Sequence, residues 1–353
     1  MYRRAVISGY FGFGNTGDEL ILLSVVRDLK KIYPATEILV LSKQPSATSA
    51  EFNVKSAYRW NVAKVFLALG KKNILICAGG LLQDTTSTRN CLYYLLVILL
   101  GIFRRSRVIV FGGIGPLKNR ITRRITAYLL DRTYAVVCRD KGSMNLLNQL
   151  GVKNPKIIFG ADPVLGMKPD AEGGRKRIEE LTGITSGIIL GVVLRNWQTR
   201  TDFSGIIARG LYLLPSKYRI ILIPFQPADE KLCRSVAEQT SGMAKALEKF
   251  SPAETAELIA GLDILVGMRL HSIILAAVSG VPFIAVSYDP KIENFVSELN
   301  AGSMFRIDEL SPEKLSAGIE SIHAKSPELR QAIKAKVGIL SARLLDWSEL
   351  LEK

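Results

Sequence analysis

Short apolar runs rich in β-branched residues alternate along this chain with longer stretches of helical periodicity. Such alternation is typical of parallel sheets that are covered by helices on both faces. It is interrupted once, at residues 167–175, where glycine, proline and charged residues cluster, and then begins again. The sequence therefore predicts an α/β fold of two doubly wound, Rossmann-like domains that face each other across a cleft. Strands are predicted at residues 5–8, 38–41, 74–77, 108–111, 135–138 and 157–159 in the first half, and at 188–194, 218–224, 264–266 and 283–286 in the second.

The interruption also sets the predicted domain boundaries. At 353 residues the chain is long for one domain and sufficient for two of ordinary size. We expect a first domain at 1–167, a second at 176–326, and a helix at 327–353 that packs back on the first domain. Within the second domain, Ser251-Pro252-Ala253-Glu254 predicts a helix start, because serine can cap, proline fits the first turn and glutamate can complete a capping box.

Positive charge is concentrated in the first half. Residues 1–160 carry 24 lysines and arginines against 8 acidic residues, whereas the remainder is nearly balanced. The density is highest between residues 104 and 141. Such a surface is either an ordinary solvated face or one that attracts an anionic membrane, nucleic acid or phosphorylated ligand. No nucleic-acid-binding motif accompanies it, which argues against nucleic acid as a partner.

The longest charge-free apolar run covers residues 90–103. It is shorter than the roughly 20 residues that span a bilayer, so we predict a buried helix. The first residues become strand-like too early for a signal peptide, and a cytoplasmic location is expected. The cysteines have neither zinc-site nor disulfide spacing, and Cys77, Cys91 and Cys138 are predicted to be small buried hydrophobic residues.

The loop after the first predicted strand is rich in glycine and polar groups. Gly12, Gly14 and Gly17 have G-x-G-x-x-G spacing between a strand and a helix, which lets a ligand approach the backbone. A dinucleotide site also needs an acidic residue at the end of the second strand, but that strand ends in serine and lysine. Asn15 and Asp18 suit a hydroxyl-rich ligand instead. The alternative is that the glycines only close a tight turn.

Other strands of the first half end in glycines or a cation at the same predicted sheet edge. Gly79, Gly80 and Gln83 follow the third strand, a glycine pair follows the fourth, and Arg139 follows the fifth. Several such ends in one sheet predict a lined ligand site. Arg139 could bind a phosphate or carboxylate through two hydrogen bonds, or it could form a salt bridge with Asp140 or another acid.

The second half has its own polar cluster. Arg269, Leu270 and His271 follow a short strand and open an apolar helix, and Lys291 follows the next strand. A helix N-terminus disfavours imidazolium whereas a bound dianion favours it, so substrate would control the protonation of His271. This behaviour suits a general acid or base. The alternative is a core histidine bonded to a carbonyl group.

Two further strand ends in the second half add polar groups. Arg195 follows the first of these strands with an aromatic residue nearby, and Gln226 follows the second. Both are candidates for substrate binding. Arg195 could equally be an ordinary surface residue.

These motifs occur in one order and together resemble the polysaccharide pyruvyl transferase family, with the closest likeness to the bacterial CsaB type. The resemblance covers residues 5–295. The motifs that carry it are Gly-Tyr-Phe-Gly-Phe-Gly-Asn-Thr-Gly-Asp-Glu from Gly9, Gly-Gly-Leu-Leu-Gln-Asp from Gly79, Arg139-Asp140, Leu194-Arg195-Asn196-Trp197, Met268-Arg269-Leu270-His271 and Tyr288-Asp289-Pro290-Lys291.

The resemblance implies a glycosyltransferase-B-like fold, phosphoenolpyruvate as donor substrate, and no metal or other cofactor. For the CsaB type it also implies a lipid-diphosphate-linked disaccharide as acceptor, with a 4,6-ketal formed on N-acetylmannosamine in a cell-wall polymer that anchors surface-layer proteins. We expect such an enzyme to be peripheral on the inner face of the cell membrane.

In the mechanism that we expect, His271 is the general acid/base, while Arg139, Lys291 and Arg269 hold phosphate and carboxylate. The loops that bear Asn15 and Asp18 would face the acceptor. Three other classes of protein remain as alternatives: a nucleotide-sugar glycosyltransferase, a non-catalytic protein that binds anionic surfaces, and a dinucleotide oxidoreductase.

Overall fold

A computed structural model of the chain describes residues 2–85, 87–197 and 202–352. The chain divides into two compact units. The first comprises Met1–Pro163 with Arg343–Lys353, and the second comprises Val164–Ala342. Each unit is an α/β body built on one parallel sheet.

The sheet of the first unit has seven strands in the order β3-β2-β1-β4-β5-β6-β7. Every pair of neighbouring strands is parallel, so all carboxyl ends lie along one edge. The strands are β1 (Arg4–Ser8), β2 (Glu37–Ser42), β3 (Lys55–Tyr58), β4 (Asn73–Ala78), β5 (Arg107–Gly112), β6 (Ala135–Cys138) and β7 (Lys156–Phe159). Helices of this unit are α1 (Thr16–Ile32), α2 (Pro45–Phe52), α3 (Val62–Ala68), α4 (Thr88–Phe103), α5 (Arg120–Leu130) and α6 (Lys141–Leu150).

The second unit repeats this design with six parallel strands in the order β10-β9-β8-β11-β12-β13. They are β8 (Ile188–Val193), β9 (Tyr218–Leu222), β10 (Ala244–Ala246), β11 (Ile264–Gly267), β12 (Phe283–Ser287) and β13 (Ser303–Arg306). The helices are α7 (Ala171–Thr182), α8 (Phe203–Tyr212), α9 (Pro227–Gln239), α10 (Pro252–Ala260), α11 (Leu270–Ser279), α12 (Pro290–Leu299), α13 (Pro312–Ala324) and α14 (Ser326–Ser341). The two α/β sheets confirm the predicted pair of Rossmann-like domains.

The central strands form the core of each unit. All four residues of β6 and of β11 are buried, because helices cover both faces of a parallel sheet. This double burial explains why these strands are continuous apolar runs rather than alternating ones. Cys77, Cys91 and Cys138 are also buried, as predicted.

The predicted helix start at Ser251 is confirmed in detail. The Ser251 hydroxyl accepts a hydrogen bond from the Glu254 amide at 3.2 Å, and the Glu254 carboxylate accepts one from the Ser251 amide at 3.0 Å. This reciprocal arrangement is a complete capping box, with Pro252 as the first helical residue.

The sequence pattern does not predict three of the strands, namely β3, β10 and β13. Each pairs with one neighbour only and forms the edge of its sheet. Edge strands need no apolar residues on both faces, and these read Lys-Ser-Ala-Tyr, Ala-Lys-Ala and Ser-Met-Phe-Arg. A polar segment of this length has no strand signature.

The glycine-rich stretch 167–175 is not simply a linker, because α7 begins within it. Asp170 caps this helix by accepting a hydrogen bond from the Glu172 amide at 3.1 Å. A Cβ atom at Gly174 would lie 1.8 Å from the Glu257 carbonyl oxygen, so glycine here allows α7 to approach α10 closely. The glycines that suggested a boundary therefore serve helix packing, and the second unit starts earlier than predicted, at Val164.

The single helix expected at 327–353 is two helices that belong to different units. Helix α14 stays with the second unit, where Arg330 donates to the Asp263 carbonyl oxygen at 3.0 Å. A last helix, α15 (Trp347–Glu352), lies in the first unit, and its Trp347 packs edge-on against Phe111 with ring centroids 5.8 Å apart.

Candidate active site

The strand orders indicate where a candidate ligand-binding crevice would lie in each unit. In the order 3-2-1-4-5-6, connections run in opposite directions from the first strand and leave a crevice beyond the carboxyl ends of strands 1 and 4. The corresponding points are the ends of β1 and β4 in the first unit and the ends of β8 and β11 in the second. The predicted site residues follow these strands or their neighbours, except Arg139, which follows β6, two strands from β4.

In the first unit, the loop after β1 is held by its own helix. Gly12 and Gly14 have φ values of +75° and +73°, a conformation that favours glycine. The Glu19 carboxylate accepts a hydrogen bond from the Gly12 amide at 2.7 Å. A Cβ atom at Gly12 would lie 2.1 Å from the Ser42 hydroxyl oxygen at the end of β2. Gly12 thus has the structural role of closing the turn.

The polar residues of this loop meet the loop after β4. Asn15 caps α1 by accepting a hydrogen bond from the Gly17 amide, and its side-chain amide donates to the Asp18 carboxylate. Gly79 has a φ of +115°, and a Cβ atom there would lie 3.4 Å from an Asp18 carboxylate oxygen. The structure therefore brings Asn15, Asp18 and Gly79 together at the crevice, as the parallel topology predicts.

The loop after β4 is fastened to the start of α5 by Asp84. Its carboxylate accepts hydrogen bonds from the Lys118 and Asn119 amides at 2.7 and 2.8 Å and from the Thr122 hydroxyl at 2.6 Å. Burial raises the pKa of this carboxyl, but the hydrogen bonds outweigh it and hold the pKa below its usual value. Gln83, in the same loop, is partly buried and accepts a hydrogen bond from Thr85.

Arg139 forms a salt bridge, with an acid other than its neighbour. Its Nη1 lies 2.5 Å from Oδ2 of Asp162, and the two side chains are only 9% and 6% exposed. Asp140 instead caps α6 and accepts from the Ser143 amide at 2.7 Å. A Cβ atom at Gly113 would lie 3.5 Å from Oδ2 of Asp140 and 3.6 Å from Nε of Arg139, so the buried loop after β5 packs directly against these two side chains. Asp162, after β7, has no sequence signature that marks it.

Arg59 is the charged residue that the sequence analysis missed. It follows β3 directly and is 2% exposed, yet none of its three guanidinium nitrogens has a hydrogen-bond partner within the described part of the chain. Its guanidinium carbon lies 4.0, 5.1 and 5.2 Å from the ring centroids of Tyr93, Tyr94 and Phe13. Burial raises the pKa of Tyr93 to about 12, against the opposing effect of the Arg59 charge. Neutral rings therefore surround this cation.

In the second unit, Arg269 and His271 lie at the start of α11, beside the crevice. Arg269 is the N-cap residue of this helix, and its Nη2 donates to the Asp229 carboxylate at 2.7 Å and to the side-chain amide oxygen of Gln226 at 2.9 Å. Arg269 and Asp229 are 8% and 1% exposed, so this is a buried ion pair. His271, two residues after the cap, is partly exposed.

Arg195 is bonded to a tyrosine rather than to an acid. Its Nη1 donates to the Tyr288 hydroxyl group at 2.6 Å, and Trp197 packs against the Tyr288 ring at 4.6 Å. Burial raises the pKa of Tyr288, with the Arg195 charge opposing, so Tyr288 is neutral at physiological pH. Lys291 is partly buried in the first turn of α12, where its amide donates to Asp289 at 2.9 Å.

The two arginines cross over each other's strands. Arg195 extends from β8 past the end of β11 to Tyr288 after β12, whereas Arg269 extends from β11 past the end of β8 to the loop after β9. The loops after β8, β9, β11 and β12 are thereby connected by side chains. Such an arrangement can present cations, a phenol and an imidazole to an anionic ligand at one sheet edge.

Across residues 2–85, 87–197 and 202–352, no three histidine, cysteine, aspartate or glutamate side chains are grouped so that they could hold a metal ion.

Solved structures that resemble this chain identify its fold class. HepE from Anabaena, in complex with UDP and glucose, matches with a TM-score of 0.66 at 13% identity, over 99% of this chain and 98% of that one. UDP-GlcNAc 2-epimerase from Neisseria meningitidis, bound to UDP-GlcNAc, matches with a TM-score of 0.64 at 12% identity, over 96% and 97%. The chain thus has the glycosyltransferase-B type of fold, which glycosyltransferases and 2-epimerases share.

Sequence matches identify the family. Residues 15–290 match the profile of the polysaccharide pyruvyl transferases, and the chain belongs to this family. The amylovoran biosynthesis protein AmsJ of Erwinia amylovora is 19% identical over 263 residues, which cover 68% of this chain. The match spans 63% of the length of AmsJ. Every predicted site residue except Gly14 and Lys291 lies within the matched region.

Proposed function

We propose that this protein transfers the enolpyruvyl group of phosphoenolpyruvate to a sugar as a cyclic ketal and releases phosphate. The observation that carries the proposal is the position of Arg269, Leu270 and His271. They begin a helix beside the crevice of the second unit, within the region matched by the pyruvyl transferase family. The helix N-terminus and the two neighbouring cations, Arg195 and Lys291, suit a donor with two anionic groups.

The reaction needs one proton donor and two proton acceptors. A proton is added to the methylene carbon of phosphoenolpyruvate, and a sugar hydroxyl attacks the cationic C2 and loses its proton. Phosphate then leaves with the C–O bond electrons, and a second hydroxyl attacks C2, closes the ring and loses its proton to a base or to the departing phosphate. His271 is the general acid/base in this scheme, because it is the titratable imidazole next to the anion-binding groups.

The partners of Arg195 and Arg269 at the crevice of the second unit suggest different roles for these two arginines. Arg269 is neutralised by Asp229, so it mainly fixes the loop that carries His271. Arg195 is bonded to the neutral Tyr288 and has no carboxylate within ion-pair distance in the described part of the chain. Its charge is therefore available to the phosphate or carboxylate of the donor, and Lys291 is the second cation that we assign to donor binding.

The first unit is proposed to bind the acceptor. Asn15, Asp18 and Gly79 lie together at its crevice and can bind sugar hydroxyl groups, while Arg139 is neutralised by Asp162 and mainly fixes the loop after β6. The excess of basic residues suits a lipid-diphosphate-linked disaccharide. By resemblance to the CsaB type, the ketal would form on N-acetylmannosamine in a cell-wall polymer precursor, at the inner face of the cell membrane.

The direct test is incubation with labelled phosphoenolpyruvate and a lipid-linked N-acetylmannosamine disaccharide, with phosphate release and added pyruvate mass as readouts. His271→Gln should abolish turnover, since one general acid/base contributes about 10²–10⁴-fold. His323→Gln is the matched control, because His323 lies in α13 of the same unit and packs edge-on against Tyr218. Near-normal turnover by His271→Gln with an intact melting profile would reject the assignment.

A nucleotide-sugar glycosyltransferase is the second candidate, because the solved neighbours include HepE in complex with UDP-glucose. Thermal-shift titration separates the two. Stabilisation by phosphoenolpyruvate and not by a panel of UDP-sugars supports the pyruvyl transferase, and the reverse result supports the glycosyltransferase.

A further inference from the structure

Helix α4 exposes an apolar face that its sequence gives no reason to expose. It contains no charged residue from Asn90 to Phe103 and was expected to be buried. In the structure only one side is covered. The exposed fractions of Leu92, Leu96, Leu99 and Phe103 are 44%, 38%, 46% and 72%. Their spacing of four, three and four residues aligns them on one side of the helix.

Neighbouring helices extend this face. Helix α5 packs beside α4 and exposes Ile121 at 66%, Ile125 at 36% and Tyr128 at 58%. Helix α3, on which Phe66 contacts the Phe103 ring at 6.2 Å, adds Leu67 at 73%. We call Leu67, Leu92, Leu96, Leu99, Phe103, Ile121, Ile125 and Tyr128 the apolar face. It holds half of the sixteen exposed large hydrophobic residues in the described part of the chain, so it is a patch rather than ordinary scatter.

Arginines border the apolar face, and acids are missing from the segment. The sequence has no acidic residue between Asp84 and Asp131. Arg105, Arg120, Arg124 and Arg132 are exposed at the ends or flanks of α4 and α5, and the Arg132 guanidinium lies 3.5 Å from the Tyr128 ring centroid. A binding partner that fits this surface must therefore be apolar where it meets the apolar face and anionic where it meets the arginines.

We propose that the apolar face inserts into the acyl–headgroup boundary of an anionic lipid bilayer, with the bordering arginines at the lipid phosphates. Apolar residues flanked by basic ones are the signature of helices that lie in the membrane interface. No helix in the described part of the chain is long and apolar enough to cross a bilayer. A second copy of this face is a poor occupant, because its arginines would repel those of the first copy.

The proposed surface also lies near the acceptor loops. Helix α4 starts after the loop that follows β4, α5 starts after the loop that follows β5, and Asp84 fastens one loop to the other helix. Docking would bring these loops to the bilayer surface, where a lipid-linked sugar diphosphate is located. In this respect the inference rests on the proposed function, although membrane binding can be measured without turnover.

The test is cosedimentation of the full chain with vesicles of equal parts phosphatidylglycerol and phosphatidylcholine, compared with vesicles of phosphatidylcholine alone. Phe103→Ser combined with Ile121→Ser should weaken binding to the anionic vesicles at least tenfold, since two large side chains no longer insert. The matched control is Ile339→Ser on α14, because Ile339 is 66% exposed like Ile121 but lies in the other unit. Arg105→Gln combined with Arg124→Gln should lose about fivefold per arginine and make the remaining binding less sensitive to salt.

Two results would overturn the inference: equal binding to both kinds of vesicle, or unchanged vesicle binding of the serine pair. If that pair also alters self-association by light scattering, the apolar face is an interface between copies of this chain instead. Melting curves identify variants that fail to fold. If the serine pair does not fold, the vesicle binding of the Arg105→Gln, Arg124→Gln variant tests the inference instead. Phosphate release with a soluble, lipid-free acceptor analogue separates the two proposals. Vesicle binding without transfer supports the membrane-binding surface and contradicts pyruvyl transfer. Transfer without vesicle binding supports pyruvyl transfer and contradicts the membrane-binding surface.

Discussion

Asp229→Asn should destabilise the second unit strongly, although it changes one atom type in one side chain. Asp229 is 1% exposed and pairs with Arg269, which is 8% exposed. The asparagine oxygen can still accept the hydrogen bonds that Asp229 Oδ2 receives from the amides of Phe225 and Gln226, at 3.3 and 3.0 Å. What is lost is the charge that compensates the buried guanidinium group.

The magnitude follows from that burial. Removing one partner of a buried ion pair costs about 3–5 kcal/mol, because the other charge stays desolvated and unpaired. For a unit of this size each kcal/mol lowers the melting temperature by roughly 2–4 °C, so a decrease of about 10 °C is expected. Arg269→Met combined with Asp229→Asn removes both charges and should recover most of the lost stability.

The assay is thermal unfolding of the two single variants and the double variant, together with turnover of phosphoenolpyruvate. The double variant should melt near the unmodified protein and remain poorly active, because Arg269 also fixes the loop that carries His271. A melting temperature unchanged by Asp229→Asn would refute the assigned role of the ion pair. A double variant as unstable as Asp229→Asn would show that lost hydrogen bonds, and not the uncompensated charge, explain the effect.

Three shorter predictions follow from other residues. Lys291→Ala should raise the KM for phosphoenolpyruvate more than it lowers kcat, measured by initial rates; an unchanged KM would contradict a role in donor binding. Asp84→Asn should lower stability in urea at pH 7, and the loss should shrink as the pH falls below about 4, because a lowered folded-state pKa stabilises above the unfolded value and this contribution is lost as pH falls through the folded value; a loss that does not change with pH would contradict it. Arg59→Met should change the melting temperature little, since the desolvation of an unpaired buried charge costs several kcal/mol and the three nearest rings return about 2 kcal/mol each; a large decrease would show that the rings outweigh desolvation, and a large increase the reverse.

The central strands were predictable because burial on both faces demands continuous apolar residues, as in β6 and β11. The same physics placed Arg269 and His271, since parallel strands put all their carboxyl ends at one edge. The edge strand β3 lacks that constraint and was missed. Arg59, which follows β3 directly, was missed with it.

Long-range partners were beyond the sequence analysis for a different reason. Arg139 pairs with Asp162 and Arg195 with Tyr288, and no local pattern links residues so far apart in the chain. The prediction that helix α4 is buried was wrong for a third reason. When both sides of a helix are apolar, periodicity no longer distinguishes the exposed side, and only the packing of its neighbours reveals it.

The crossing of Arg195 and Arg269 has a consequence for how this site can change. Each arginine contacts a loop two strands away in the sheet, so the loops after β8, β9, β11 and β12 depend on one another in pairs. Exchanging one loop with that of a relative would leave an arginine or its partner without a contact, and the effects of such exchanges should be strongly non-additive. Natural divergence and engineering of the second unit would then have to replace these loops as matched sets, whereas the loops of the first unit can vary without disturbing these particular contacts.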